Sequence, residues 1–580
     1  TCATTSNALA QATAPSYVIR NVSVIATSSA PATRIRDVVI SGRKISQLTD
    51  GGSARVPGAT VIDGRGKFLI PGLIDSHVHI KQEDPLFLFV VNGVTTVQNM
   101  SGRPFHLQMR EATNKGTLLG PRIVTTGPTT AEVGVRTPEE VEKLVLQQKA
   151  LGYNAIKMYG STGGAMTTET YHRLNVVGRA QGLRVVGHAP RNLPFQTVLD
   201  ERQHSIDHME EIIYTHEPFG RLLKPYVDVQ FGRATSSTRD SLARLTVPNF
   251  AQQLSAEVND LARAVKLSGL AVTPNLVFFR NIYLMTTDSI QALLRAPELA
   301  YAAPGQRLNW SPMLNNYHNA WRDRLGIMVP YFAAVVQLQN AITAAFQRAG
   351  VPIMTGTDSE GLGTQPGFAV HSELELFVRA GLKPVEALRA ATSTPARVMQ
   401  IADSVGSVEP GKIADLVLLD ANPLDDIRNT RRIAGVFRAG KWVSRANANA
   451  MLDSLARSYA PVQTALASFT AKLDAGDAAG AIAVYRASPQ RAVIAKPVER
   501  AINAYGYRVM GQNRIQDAIE IFRLNTEAFP NEYNTWDSLA EAYMNNNQND
   551  LAIRYYKKVL ELRPGDENAT RMLKRLGVNP

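Results

Sequence analysis

From Tyr17 onward the chain alternates short apolar runs with turn residues. Runs at 17–25, 36–40, 44–48, 61–63 and 67–70, punctuated by Gly51-Gly52 and Asp63-Gly64, predict a small all-β unit. A second set of such runs lies far downstream, at 406–420 and 433–443. The two sets are expected to pair into one composite β-sandwich with a large insertion between them. Inside the insertion, apolar strands alternate with helical stretches, at 74–80, 94–99, 122–126, 155–159, 184–188, 205–208, 271–278 and 353–357. Eight strands with helices between them predict an α/β architecture, a (β/α)8 TIM barrel. The connections after the sixth and seventh strands run to about 60 to 75 residues each and carry helical patterns. Long connections in such barrels tend to form lids over the active site, so Trp310, Tyr317, His318 and Trp321 are candidate pocket residues. Packing among the inserted helices is the alternative reading for each of them.

Beyond residue 447 the pattern becomes helical throughout. Trp536, Leu539, Ala540, Tyr543, Ala552, Tyr556 and Pro564 fall at the spacings of a tetratricopeptide repeat, and Gly506, Ala518, Phe522 and Pro530 match in register 34 residues earlier. A degenerate third unit around Ala481, Ile482 and Tyr485 is expected to act as a cap. The domain layout read from these patterns is a tail at 1–16, sandwich strands at 17–70, the barrel at 71–400, the second sandwich part at 401–447 and an all-α tetratricopeptide repeat domain at 448–580. Such an array could bind a peptide or protein partner in its concave face, or serve packing and self-association.

Length and composition narrow the chemistry. At 580 residues the chain is long enough for several domains, and 44% hydrophobic with 19% charged residues is an ordinary globular balance. The single Cys, Cys2, excludes an internal disulfide framework and any site needing several thiolates, so metal chemistry must rest on His and carboxylates. The net charge of +12 is scattered rather than gathered into basic runs, which argues against a nucleic-acid partner. No run approaches the roughly 18 to 20 apolar residues of a transmembrane span. The first sixteen residues are small and polar, and Ala8-Leu9-Ala10 before Gln11 resembles a signal-peptidase site, so export to a bacterial periplasm is expected. Two alternatives stand beside it: lipid anchoring at Cys2, against which Thr1 is a poor lipobox residue, and a disordered tail without targeting role.

The histidines are placed for metal binding. His77 and His79 close the first barrel strand as Asp75-Ser-His-Val-His79, and residues two apart on a strand face the same side. His188 ends one later strand, His208 the next, and Asp358 follows the last. Barrel active sites lie at the C-terminal ends of strands, so five ligand-type residues fall where a site is expected. Each His alone would more often be a structural one; the set together points to a metal.

These residues resemble those of the amidohydrolase superfamily over about 17–443. The motifs are Leu69-Ile-Pro-Gly-Leu-Ile-Asp-Ser-His-Val-His79 at the start of the barrel and Gly411-Lys-Ile-Ala-Asp-Leu-Val at its exit. The resemblance implies His77 and His79 on a more buried metal ion, His188 and His208 on a more exposed one, and Asp358 beside a bridging water. Lys157, in Ala155-Ile-Lys-Met-Tyr159, occupies the position of a bridging ligand. An ammonium has no lone pair, so a bridge there implies a carbamate formed from CO2; an unmodified Lys in a mononuclear site is the alternative. Two divalent ions, zinc by expectation, are the implied cofactors. Two Zn2+ less the charges of carbamate, Asp358 and hydroxide leave a residual positive charge to polarise a carbonyl. Hydroxide would attack that carbonyl, with Asp358 taking the proton as general base and returning it to the leaving nitrogen.

The Ile-Lys-Met motif and the 20-residue step from His188 to His208 most resemble the Xaa-Pro dipeptidase and carboxypeptidase-like branch, whose relatives include ochratoxin A hydrolases. That implies hydrolysis of a peptide or N-acyl amino-acid bond in a small substrate. Tyr159, on the same side of its strand as Lys157, is a candidate to bind the oxyanion or a substrate carboxylate. Arg136, Arg191 and Arg280 are candidates for a carboxylate partner. Two other functions are weighed: hydrolysis of cyclic amides, lactones or phosphoesters on the same metal core, and a repeat-based interaction protein with a vestigial barrel.

Overall fold

The computed structural model describes residues 16–27, 33–159, 166–220, 250–287, 289–311, 314–315, 325–359 and 361–579. Cys2, the Ala8-Leu9-Ala10 segment and the pocket candidates Tyr317, His318 and Trp321 lie outside these residues. The chain divides into two compact units, Thr1–Tyr283 with Gly326–Ala450, and Leu284–Leu325 with Met451–Pro580.

The strands of the first unit are β1 (Ser16–Ile25), β2 (Thr33–Ser41), β3 (Lys44–Asp50), β4 (Thr60–Asp63), β5 (Phe68–Pro71), β6 (Leu73–Val78), β7 (Val94–Asn99), β8 (Arg122–Thr125), β9 (Ala155–Met158), β10 (Arg184–Gly187), β11 (Ser205–Asp207), β12 (Ala271–Thr273), β13 (Leu416–Leu419), β14 (Ile433–Arg438) and β15 (Lys441–Ser444). The two flanking sets form one eight-stranded sheet, because β13 pairs antiparallel with β5; the order is β15-β14-β13-β5-β1-β2-β3, with β4 beside β1. Ile45 on β3 and Phe437 on β14 stand near opposite ends of that order, yet they share a core with Ile19, Val38, Leu69 and Leu416. The sheet therefore curls until its ends face a common interior, in the sense that strand twist permits. The Ile45 amide completes the curl by donating to the Lys412 carbonyl at 2.9 Å.

The insertion holds two parallel sheets, β6-β7-β8 and β9-β10-β11-β12. Isolated parallel bridges Thr126↔Ala155, Val272↔Ile353 and Val78↔Ser359 join them, so a path from β6 through β12 returns to β6 by way of Ile353 and Ser359. Every residue of β6, β7, β9, β10, β11 and β12 is buried, as strands covered on both faces require. Two strand expectations need correction. The run at 271–278 is strand only to Thr273: Pro274 has no amide to offer a ladder, Asn275 adopts φ 55°, and helix Leu276–Met285 begins directly after. The run at 353–357 is not a continuous strand, because its amides serve different partners: Met354 donates to Val272, Thr355 to Ala390 and Thr357 to His77.

The second unit is helical. Helices Ala478–Ala487, Arg491–Gly511, Ile515–Ala528, Tyr533–Asn545, Asn549–Leu562 and Glu567–Arg575 follow in sequence, and Phe469, Ile482, Val498, Ile502 and Phe522 build a shared core that also takes Leu308 from the inserted segment. Gly506 permits the close approach of two of these helices, since a Cβ there would lie 2.5 Å from the Phe522 ring. Trp536 and Tyr543 both stack on Tyr555, at 5.6 and 5.5 Å. Trp310, a pocket candidate, is a buried residue of this unit. No described helix is long and apolar enough to cross a membrane.

Candidate metal centre

β6 delivers His77 and β9 Lys157, and the residues directly after β6, β10 and β11 are His79, His188 and His208. Asp358 arrives beside β6 because its amide donates to the His77 carbonyl at 2.9 Å. The Asp75 carboxylate secures that segment, accepting from the Thr357 hydroxyl at 2.6 Å and the Thr357 amide at 3.0 Å. Burial pushes the Asp75 carboxyl up to about 7 against these bonds. His208 and Asp358 both hold positive φ, 65° and 54°, a conformation costly for residues other than glycine and found mostly where function demands it.

The four histidines and Asp358 form one cluster, and Lys157 is tied to it through Asp207. Nε2 of His77 lies 3.2 Å from Nε2 of His79, and Oδ1 of Asp358 is 3.3 and 3.1 Å from the two nitrogens. The His208 ring sits 4.7 Å from that of His77 and 4.8 Å from that of His188. Ligand atoms of His77, His208 and Asp358 all fall within 4.8 Å of one another. Lys157 is 1% exposed, with Nζ 3.1 Å from Oδ2 of Asp207. Gly187 makes room for its stem: a Cβ there, at φ 112°, would stand 2.6 Å from Cδ of Lys157.

The protonation states suit a cation. Burial holds the His79, His188 and His208 imidazoles below their usual range, which keeps them neutral with a lone pair to offer. Burial raises the Asp358 carboxyl, but His77 and His79 outweigh it and hold the group well below the carboxylate range. Burial and the Lys157 charge push His77 down, and the Asp207 and Asp358 carboxylates more than restore it. Nδ1 of His208 is buried with no hydrogen-bond partner among the described residues. Convergent neutral and anionic donors with few protons to share are the donor set of a zinc-type ion, so the residues fit the metal that the cluster suggests.

Outer partners that the sequence reading missed orient these ligands. Oδ2 of Asp207 lies 3.1 Å from Nδ1 of His77, too bent for an aligned hydrogen bond, and 3.1 Å from Nζ of Lys157. Burial raises the Asp207 carboxyl, while Lys157 and His77 pull it far below its ordinary value. Oε1 of Glu211 pairs with Nδ1 of His188 at 2.7 Å, which turns Nε2 of that ring toward the cluster. Burial raises Glu211 as well, and His188 and Arg191 overcome it. Burial lifts the adjacent Glu210, a shift that Arg191 opposes and the Glu211 and Asp358 charges reinforce. The only hint in the sequence was adjacency to His208.

Of the substrate-binding candidates, Tyr159 is 39% exposed and its ring lies 4.6 Å from that of His188. Phe278 and Phe279 flank His208 at 6.1 and 6.2 Å. Arg191 is already committed, donating from Nε and Nη2 to Glu211 and from Nη2 to Glu210. Arg280 bonds Asn281 Oδ1, and Arg136 is exposed at the start of helix Pro138–Ala150.

The parallel strands thus bring a His and carboxylate cluster together at their C-terminal ends. The amidohydrolase family pattern matches residues 89–443, and the chain belongs to that family. It is 34% identical over 124 residues to the ochratoxinase of Aspergillus niger, a match covering 20% of this chain and 25% of that protein. The chain thus spans about a quarter of the length of that curated relative. In fold it is similar to a bottromycin amidohydrolase, with a TM-score of 0.57 at 21% identity over 76% of this chain and 90% of the other. It is likewise similar to a Xaa-Pro dipeptidase solved with methionine in its active site, with a TM-score of 0.50 at 20% identity over 74% of this chain and 100% of that one.

Proposed function

We propose that the protein is a metal-dependent hydrolase of a C–N amide bond, acting on a peptide or N-acyl amino-acid substrate. In this reading the ring of strands is a (β/α)8 barrel, and His77, His79, His188, His208, Asp358 and Lys157 as its carbamate hold two divalent ions. The observation that carries it is the convergence of His77, His79 and Asp358 within 3.1 to 3.3 Å at the strand ends. When bound, such ions supply Lewis acidity, which polarises a carbonyl and eases deprotonation of water. Asp358 is the proton carrier: its Oδ atoms, kept ionised by the histidines, accept the proton of the attacking water and return it to the leaving nitrogen. The Tyr159 hydroxyl donates to the oxyanion or to a substrate carboxylate beside His188. The Asp207 carboxylate holds Nζ of Lys157 in place at 3.1 Å, and the two protons released when the ammonium and CO2 become a carbamate pass to solvent. The helices of the second unit are read as tetratricopeptide repeats on the spacing of Trp536, Tyr543, Tyr556 and their counterparts 34 residues earlier.

Metal analysis combined with a substrate panel tests the proposal. About two zinc ions per chain and turnover of dipeptides or N-acyl amino acids are expected. Fewer than about one ion per chain, with no turnover after zinc is added, would sink it and favour the interaction-protein reading. Turnover confined to lactones, cyclic amides or phosphoesters would move the substrate class.

A further inference from the structure

We propose that Glu210 binds a cationic group of the substrate, its free ammonium, at the rim of the metal centre; the inference rests on the hydrolase reading above. Glu210 stands two residues past His208, in the first turn of helix Met209–Thr215, which leaves the C-terminal end of β11 where the cluster lies. Its neighbour Glu211 is 0% exposed and fully used, paired with Nδ1 of His188 at 2.7 Å and receiving Nη2 of Arg191 at 2.6 Å and Nε at 3.0 Å. Glu210 receives one bond, from Nη2 of Arg191 to Oε1 at 3.0 Å, and Oε2 meets no donor among the described residues. The Glu210 side chain is 24% exposed.

One guanidinium therefore serves two carboxyl groups, and the oxygen left without a donor among the described residues, Oε2 of Glu210, belongs to the more exposed of them. Arg191 has little freedom to swing toward Glu210, because its guanidinium also lies 4.8 Å over the Tyr214 ring. An ammonium at Oε2 would supply the missing donor through a charge-assisted hydrogen bond, whereas a substrate carboxylate has no donor to offer there. The substrate end resting on this helix is then its amine, which favours a peptide with a free N-terminus over an N-acyl amino acid.

The test is calorimetric titration of the zinc-loaded full chain with two non-hydrolysable dipeptide isosteres that differ only in a free or an acetylated N-terminus. Charged hydrogen bonds are worth about 1.5 to 3 kcal/mol, so wild type is expected to prefer the free ammonium by roughly tenfold or more in Kd. Glu210→Gln should bring that ratio close to one, and Glu210→Asp should keep most of it. A Glu210→Gln variant that weakens both ligands equally, leaving the ratio intact, would show Glu210 to be only a partner for Arg191 and overturn the proposal. Wild type binding neither ligand, or both alike, overturns it as well. Should Glu210→Gln fail to fold, Glu210→Ala takes its place: a ratio close to one supports the contact, and a ratio kept at the wild-type value overturns the proposal. Glu210-dependent ammonium binding without turnover would keep this role and sink the hydrolase reading, while turnover without ammonium preference would do the reverse.

Discussion

Lys157 and Glu211 show how much of the centre depends on single atoms. The stem of Lys157 has room only because Gly187 carries no side chain, and its ion-pair partner Asp207 also faces His77. Lys157→Met removes the group that the carbamate needs while keeping a stem of similar length. One of two bound ions should be lost in metal analysis, with kcat/KM falling by roughly a hundredfold or more, as expected when the Lewis acid is disturbed; unchanged metal content and rate would refute the bridge. Glu211 touches no proposed ion and acts through Nδ1 of His188. Glu211→Gln is expected to weaken metal affinity about 10- to 100-fold, measured by competition with a chelator, because ligand orientation is lost while the ligand stays. At this scale the ligands were legible and their partners were not. His77 and His79 announce themselves by a two-residue step on a strand. Asp207 and Glu211 lie beside His208 in sequence but touch Lys157 and His188, residues that only the folded sheet brings near.

Elements were legible where the pattern of apolar residues matched the hydrogen bonding, and misread where it did not. The run at 271–278 is apolar on both sides of Pro274, so its composition cannot mark the change from strand to helix. What starts helix Leu276–Met285 is a distant group: the Glu373 carboxylate accepts the Leu276 amide at 2.9 Å and the Val277 amide at 2.6 Å. Free N–H groups at a helix start require such partners. Burial pushes the Glu373 carboxyl up to about 8 despite these two bonds. The helix they anchor carries Phe278 and Phe279 against His208. Glu373→Ala leaves two buried donors unmatched, and about 1 to 3 kcal/mol of stability should be lost per unsatisfied group, read from the denaturant midpoint. Glu373→Gln, which keeps one accepting oxygen, should lose less; equal losses would argue against the cap. In the helical unit the spacing marked Gly506 and Phe522 as repeat positions, and their close approach came only with the structure, which sets two consecutive helices side by side.

Across the whole molecule, composition and periodicity leave much of the pairing between remote segments open. The pairing of β5 with β13 was expected from two sets of short strands without mates of their own, whereas the grouping of Leu284–Leu325 with Met451–Pro580 rests on contacts that no local pattern reports. His371 is one of the remote ties of the first unit. From helix Phe368–Arg379 its Nε2 bonds the Asn92 carbonyl at 3.0 Å and its Nδ1 the Thr430 hydroxyl at 2.9 Å, joining segments 279 and 59 residues away. Burial, with the Arg431 charge adding to it, pushes this imidazole down to about 3, against 6.5 for an exposed one. The folded protein thus keeps His371 neutral over a range in which the unfolded chain binds a proton. Its contribution is complete above about pH 6.5 and is lost as pH falls toward 3, with a slope of up to about 1.4 kcal/mol per pH unit from this one group. His371→Gln, which can still donate to Asn92 and accept from Thr430, should flatten the fall in stability between about pH 6 and 4 when unfolding is followed by denaturant at each pH. A variant whose profile runs parallel to wild type across that window would place the acid sensitivity elsewhere, in the carboxylates held below their usual range around the metal centre.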